Sequence, residues 1–299
     1  MSRRMDAQTG AAFDLADEAA YLAWRAAKLA RFPKTLAELV VEVRDPRALS
    51  SGERQALLKR CERANMAIYA SQTGGDSDKE IPRRFGLQLG LRDLDSNYLA
   101  DDDGISPLTV AERGTRGEFI PYTNRGIKWH TDGYYNPAER TVRAVLLHCV
   151  ERAETGGEND VLDHEIAYIQ LRDRGPQHIR ALMAHDALTI PARVEDGRIE
   201  RPAEAGPVFS VDAGGFLHMR YTARAVSIEW KNNDATQAAL AALEDILGTA
   251  SPWVFHGRLE PGMGLVSNNV LHTRTPFTES PARRRLIYRA RYYQRVGTG

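Results

Sequence analysis

The chain has 299 residues, 42% of them hydrophobic and 27% charged, with Lys+Arg and Asp+Glu equal at 40 each. That length suits one large domain or two small ones, and the charge balance leaves no general basic field of the kind that grips nucleic acid or an anionic membrane. The two cysteines, Cys61 and Cys149, form no C-x-x-C pair, which excludes zinc-ribbon and thioredoxin readings and leaves two buried thiols in a reducing compartment as the expectation.

The chain opens MSRRMDAQTG, with basic residues but no apolar segment behind them, so no secretory signal is read. No run approaches the roughly 18 apolar residues of a membrane span. A cytoplasmic protein is expected, with residues 1–10 disordered. Residues 15–31 are Ala-rich with apolar positions at helical spacing, which predicts a helix ended by Pro33. Residues 34–41 give a short second element. The segment from Ser50 carries Glu53 three positions on, a capping arrangement, and predicts a helix at least through Ala64. Residues 72–78 read as a loop, 81–98 as short apolar stretches broken by charges, and 101–104 (DDDG) as a solvated acidic turn without calcium-loop spacing. Residues 11–104 are thus a helical N-terminal region.

From about residue 105 short strands dominate. TVRAVLLHCV (141–150) is apolar and partly alternating. FSVDAGGFLHMRY (209–221) predicts a hairpin turning at Ala213-Gly214-Gly215. TQAALAALEDILG (236–248) predicts an amphipathic helix, GMGLVSNNVLHTR (262–274) a strand, a turn at Asn268-Asn269 and a second strand, and RRLIYRARYY (284–293) a final strand. Strands and helices do not alternate regularly, which argues against a doubly wound parallel sheet. The pattern predicts an α+β chain with a mainly antiparallel β core, barrel or sandwich, and helices outside. No linker splits it, so residues 1–299 are read as a single domain.

Of eight histidines only His130 stands two residues before an Asp, in His130-Thr131-Asp132. In a strand that spacing puts both side chains on one face. Two imidazoles and one carboxylate on one octahedral face leave three positions open, the ligand set of non-haem Fe(II) oxygenases. A lone H-x-D is a weak signal, and a buried, satisfied histidine is the plain alternative. The surroundings favour a site: Trp129 precedes the pair and Gly133-Tyr134-Tyr135-Asn136-Pro137 follows, aromatic and turn-forming residues suited to a pocket mouth. A third ligand candidate, His272, follows the Asn268-Asn269 turn. On the last strand, period 2 puts Arg285, Ile287, Arg289 and Arg291 on one face. Such a row fits a solvent-facing edge strand, or one or two guanidinium groups holding carboxylates in a pocket. Asp163-His164-Glu165 offers three ligand types in a row, but adjacent strand residues diverge, and the segment reads as a helix entry. His148-Cys149 reads as core.

W-H-T-D (129–132), T-G-G-E-N (155–159), N-N-V-L-H-T-R (268–274) and R-R-L-I-Y-R-A (284–290) resemble the taurine dioxygenase-like (TauD/TfdA) family of Fe(II)/2-oxoglutarate oxygenases. The resemblance covers about residues 105–295. It implies a distorted double-stranded β-helix (jelly-roll) core, Fe(II) held by His130, Asp132 and His272, and 2-oxoglutarate and O2 as co-substrates. It further implies that Arg285 binds the distal carboxylate of 2-oxoglutarate, with Arg289 near substrate or co-substrate. Asn159 stands where the family has a co-substrate-binding Thr, and its amide can still donate to a carboxylate. Asn268 replaces the usual Asp before the distal histidine. Related halogenases lack the carboxylate, so Asp132 implies hydroxylation or another oxidation rather than halogenation.

Tyr122, Asn124, Tyr134, Tyr135 and Arg220 are the candidate substrate contacts, with Arg125, Tyr221 and Arg224 beside them. A pocket lined by Tyr and Arg suits a small anionic or zwitterionic molecule. The expected enzyme oxidises such a substrate with release of succinate and CO2. It takes no nucleic acid or membrane partner, and symmetric self-association is the general expectation for soluble enzymes. The alternative is a degenerate family member that binds a ligand without turnover, and the intact ligand set and Arg285 argue against it.

Overall fold

The computed structural model describes residues 10–95, 103–111, 117, 119–195 and 197–298. Residues 1–9 of the expected disordered segment, and residues 101 and 102 of the acidic turn, lie outside the described residues. The chain divides into two compact units, one formed by Pro33–Lys128, Arg140–Val161 and Val254–Gly299, the other by Met1–Phe32, Trp129–Glu139 and Leu162–Trp253.

The strands that matter, which lie in the first of these units apart from Trp129, His130 and Leu162, are β1 (Val40–Glu42), β2 (Met66–Ala70), β3 (Ile105–Leu108), β4 (Ile127–His130), β5 (Ala144–Glu151), β6 (Asn159–Leu162), β7 (Phe255–Gly257), β8 (Met263–Ser267), β9 (Leu271–Arg274) and β10 (Leu286–Tyr292). A six-stranded sheet runs β1-β2-β8-β5-β10-β3, and a four-stranded sheet runs β7-β6-β9-β4. Only β1–β2 is parallel among the six-stranded pairings; β2–β8, β8–β5, β5–β10 and β10–β3 are antiparallel, as is β6–β7. From β4 to β6, and again from β7 to β10, successive strands repeatedly change sheet, as the chain does in a jelly roll.

The expected alternation on the last strand is present. Tyr288, Ala290 and Tyr292 join Leu146, Val150, Leu57, Phe85 and Leu89 in the main core, while Ile287 packs with Leu108, Tyr122 and Cys149 on the other face. β10 lies between β5 and β3, so its arginines are not on a solvent-facing edge. Arg285, Arg289 and Arg291 are each under 10% exposed. Arg291 is neutralised by Asp95 at 2.6 Å.

Two helices in this unit frame the core. In α2 (Ser51–Ala64) the capping box is formed: the Ser50 hydroxyl accepts from Glu53 N, and the Glu53 carboxylate accepts from Ser50 N at 2.7 Å. The segment read as broken apolar stretches is in fact helical over α3 (Glu80–Gln88), with Ile81 and Phe85 fully buried one turn apart. Pro82 and Gly86 obscured it. Proline is tolerated in a first turn, where its missing N–H has no intrahelical partner to lose. Gly86 fits because a Cβ there would meet the Tyr292 ring.

The second unit holds α1 (Glu18–Arg31), α4 (His164–Arg174), α5 (Pro176–Leu182) and α6 (Asp234–Gly248). Asp163 caps α4 by accepting from Glu165 N at 2.9 Å, so Asp163-His164-Glu165 is a helix entry. Lys28, 1% exposed, joins α1 to it through ion pairs to Asp163 (2.6 Å) and Glu165 (2.5 Å). Phe209–Val211 and Leu217–Met219 form the expected antiparallel hairpin. No helix among the described residues is long and apolar enough to cross a membrane.

Candidate active site

His130 ends β4, and its neighbours are locked by backbone pairing. Thr131 N donates to Tyr221 O (3.0 Å), Ala223 N donates to Trp129 O (2.8 Å), and His130 stands opposite Thr222. Thr131 reinforces this by accepting from Tyr221 N through its hydroxyl at 3.1 Å. Asp132 follows on the same face as His130, and the two approach to 3.8 Å. Both are nearly buried, at 8% and 6% exposure.

β9, which carries His272, borders β4 in the four-stranded sheet. The ligand atoms of His130, Asp132 and His272 all lie within 4.8 Å of one another. The His272 Nδ1 is 3.0 Å from the Val270 carbonyl. A carbonyl only accepts, so Nδ1 is the donor and Nε2 is the nitrogen left for a metal. Metal-binding histidines are commonly held this way, because the second hydrogen bond fixes both tautomer and ring orientation. Two imidazoles and one carboxylate suit a divalent first-row metal with open positions for exogenous ligands, so the donor set fits Fe(II).

The turn that delivers β9 is tightly held. Asn269 takes φ +55° and donates through Nδ2 to Val142 O at 2.7 Å. Asn268 donates to the Asn65 side chain (3.0 Å) and accepts from Val296 N (3.0 Å), while Arg295 donates to the same Asn65 oxygen at 2.9 Å. Asn65, Asn268 and Arg295 are all buried. An asparagine at 268 therefore both donates and accepts, which an ionised Asp could not do.

A small recess in the same unit is lined by Leu147, Gly156, Gly157, Asn159, Arg285 and Ile287. Gly156 and Gly157 both have φ near +75°. A Cβ on Gly156 would strike Pro276 O at 2.1 Å, so the tight turn of the T-G-G-E-N block requires glycine. Glu158 is tied back to the end of β9: its carboxylate accepts from the Thr275 hydroxyl at 2.6 Å, which holds its carboxyl below the usual range. Asn159 donates through Nδ2 to Thr273 O, next to His272. Burial pushes the Arg285 guanidinium down to about 10. It lies over the Phe277 ring, 5.1 Å away. Among the described residues no carboxylate lies within ion-pair distance of it.

Arg274 was not singled out from the sequence, although it stands two residues after His272. Its guanidinium donates to the carbonyls of Ile120, Pro121, Thr123 and Arg125 at 2.6–3.3 Å. Burial, and then repulsion from Arg285 and Arg289, push it down to about 9. Three guanidinium groups thus gather on β9 and β10. The sequence signal was present: H-x-R repeats the two-residue spacing of H-x-D.

The candidate substrate residues fall into two sets. Tyr122 is 1% exposed in the apolar cluster with Leu108, Cys149 and Ile287, and Asn124 is exposed, its carbonyl accepting from Phe277 N. Tyr134 and Tyr135 are half-buried and pack edge to face at 5.3 Å. Arg220 is engaged by backbone: it donates to the carbonyls of Tyr134 (2.7 Å), Leu188 (2.8 Å) and Glu204 (2.8 Å). Burial pushes it down to about 10. Arg224 donates to the Tyr134 hydroxyl at 2.9 Å.

The chain is similar to known proteins in sequence and in fold. The model of the "Taurine catabolism dioxygenase TauD, TfdA family" matches residues 35–291. A uridine-5'-phosphate dioxygenase from Amycolatopsis sp is 30% identical over 175 residues, 57% of this chain; the match spans 62% of that relative's length. The fold is shared with AAD-2, solved with Mn(II) and N-oxalylglycine (TM-score 0.58, 15% identity, covering 88% of this chain and 94% of that one). It is also shared with the non-heme iron oxygenase OrfP, solved with Fe and alpha-ketoglutaric acid (TM-score 0.58, 14% identity, 82% and 80%). With the family model spanning most of its length, the chain belongs to the TauD/TfdA family.

Proposed function

We propose that this chain is an Fe(II)- and 2-oxoglutarate-dependent dioxygenase that hydroxylates a small, polar, anionic or zwitterionic substrate in the cytoplasm. The observation that carries the reading is the meeting of His130, Asp132 and His272, drawn from distant parts of the sequence, with ligand atoms within 4.8 Å. The family's chemistry supports it, as do the iron and 2-oxoglutarate bound by the related fold. The relatives' named substrate, a nucleoside 5'-monophosphate, is an anion of the expected size.

Bound iron with 2-oxoglutarate and O2 supplies the oxidation, balanced as R–H + 2-oxoglutarate + O2 giving R–OH, succinate and CO2. The protein contributes position and shielding. His130, Asp132 and His272 would hold the metal. Arg285 is buried, and the nearby Glu279 carboxylate accepts from its backbone N and not from its guanidinium, which would take the distal carboxylate of 2-oxoglutarate. Gly157 leaves open the flank of that guanidinium. Asn159 fastens the floor of the recess to the strand of His272, and Arg289 adds positive charge behind it. Arg220 positions the Tyr134 backbone rather than touching substrate, and Tyr122 supports the recess from the core; Tyr134, Tyr135 and the exposed Asn124 remain for the substrate itself.

The test is anaerobic addition of Fe(II) and 2-oxoglutarate. A weak visible charge-transfer band should appear, and Arg285→Ala should raise the 2-oxoglutarate concentration needed for it by at least tenfold. No band, or an unchanged concentration dependence in the variant, refutes the assignment.

A further inference from the structure

Beside the metal-ligand strand, the second unit gathers three arginines. Arg220 is the structural member, its fork taken by three separate carbonyls. The other two are differently placed. Arg224 comes one residue after Ala223, whose backbone is bonded to Trp129 beside His130. Its polar contacts among the described residues are confined to the Tyr134 hydroxyl. Tyr134 is itself two residues beyond Asp132, on a turn closed by Asn136 N donating to Gly133 O at 2.8 Å. Arg201 donates to the carbonyls of Pro191 and Pro202. Burial lowers it, the charge of Glu204 raises it in part, and the charge of Arg224 lowers it further. Among the described residues no carboxylate is within ion-pair distance of Arg201 or Arg224.

Two half-buried guanidinium groups that repel one another, one of them bonded to a phenol, form an arrangement that an anion between them would relieve. A carboxylate has one charge and two oxygens, and a single arginine fork satisfies it. A phosphate monoester offers a second charge and a third oxygen, enough to engage both forks and the phenol together. We propose that Arg224, Arg201 and the Tyr134 hydroxyl form the subsite for a phosphate monoester on the substrate. The group would be anchored beside His130 and Asp132, so that the carbon to be oxidised lies toward the metal. The inference rests on the oxygenase reading for the identity of the centre it serves. It assigns what the sequence left open, the chemical class of the substrate's anionic group.

The experiment uses the full chain loaded with Mn(II) and N-oxalylglycine and measures binding by calorimetry, with uridine 5'-monophosphate, uridine and inorganic phosphate as probes. Uridine 5'-monophosphate should bind at least tenfold more tightly than uridine, with inorganic phosphate competing. Arg224→Gln and Arg201→Gln should each reduce that preference by tenfold or more, and Tyr134→Phe by a few-fold. Neither arginine variant should alter uridine affinity or the 2-oxoglutarate charge-transfer band of the Fe(II) protein. Binding of neither phosphate probe, no preference over uridine, or a preference untouched in both arginine variants overturns the subsite. Any of these with an intact band leaves the oxygenase reading standing, whereas phosphate preference with no band refutes that reading and not the subsite.

Discussion

Replacing Arg285 by Gln tests the co-substrate assignment without any turnover. The guanidinium is 8% exposed, and burial lowers it to about 10. That displacement from the ordinary arginine range corresponds to ~3 kcal/mol disfavouring the charged form in the folded chain. Gln is neutral, so most of this penalty disappears. It also forfeits the contact of the guanidinium with the Phe277 ring, worth about 0.5–2 kcal/mol. The ligand-free variant should therefore be more stable than the parent by about 1–2 kcal/mol. With Mn(II) present and N-oxalylglycine at a hundred times its Kd, the parent gains ~2.7 kcal/mol. A variant binding a hundredfold more weakly gains only about 0.4 kcal/mol at the same concentration. Urea unfolding with and without ligand reads both quantities. A variant that is less stable without ligand, yet keeps the full ligand increment, would show that Arg285 is a structural cation and not the carboxylate receptor.

His272→Ala and Asp132→Ala should each abolish stoichiometric Mn(II) binding while leaving the far-ultraviolet circular dichroism unchanged; retained binding in either variant excludes that side chain as a ligand. Arg274→Ala removes a buried donor from four carbonyls and should cost at least about 3 kcal/mol in urea unfolding, whereas a cost under about 1 kcal/mol would show that the 120–125 segment is held by other contacts. Lys28→Met leaves Asp163 and Glu165 facing each other in the interior and should cost about 3–5 kcal/mol at neutral pH. Burial lowers the Lys28 amine, but the two carboxylates outweigh it and the net displacement is upward. The pair's contribution is therefore fully present below the free-amine range and lost as pH rises through the raised folded value. A parent–variant difference that vanishes on going from pH 7 to 9 contradicts this.

Period-2 reasoning on RRLIYRARYY put Ile287 on the arginine face, opposite Tyr288, Ala290 and Tyr292, and the two apolar clusters separate them in that way. What that reasoning could not decide was whether the face met water, because edge or interior position depends on partners elsewhere in the chain. Here β5 and β3 flank the strand. The H-x-D spacing made His130 and Asp132 legible, and only pairing of β9 with β4 brings His272 to them. The helix over Glu80–Gln88 was hidden by Pro82 and Gly86, two residues unfavourable in helix interiors; one falls in the first turn and the other under Tyr292, so neither breaks the helix. Arg220 resembled a substrate ligand by type, yet its carbonyl partners lie 16 to 86 residues away along the sequence. No local pattern encodes that engagement.

The clasp of Asn65, Asn268 and Arg295 has a bearing on how this protein would be damaged. The turn that aims the distal imidazole is braced by residues 295 and 296, which lie beyond the last strand. A protease trimming the chain back to Tyr293 would cut no ligand and would take a single side chain, Val296, from the main core. It would leave the Asn65 and Asn268 amides without those braces and let the strand of His272 drift. Such a nicked protein should shed its metal while its spectrum still reports an intact fold, and its inactivity would pass for an iron-supply problem.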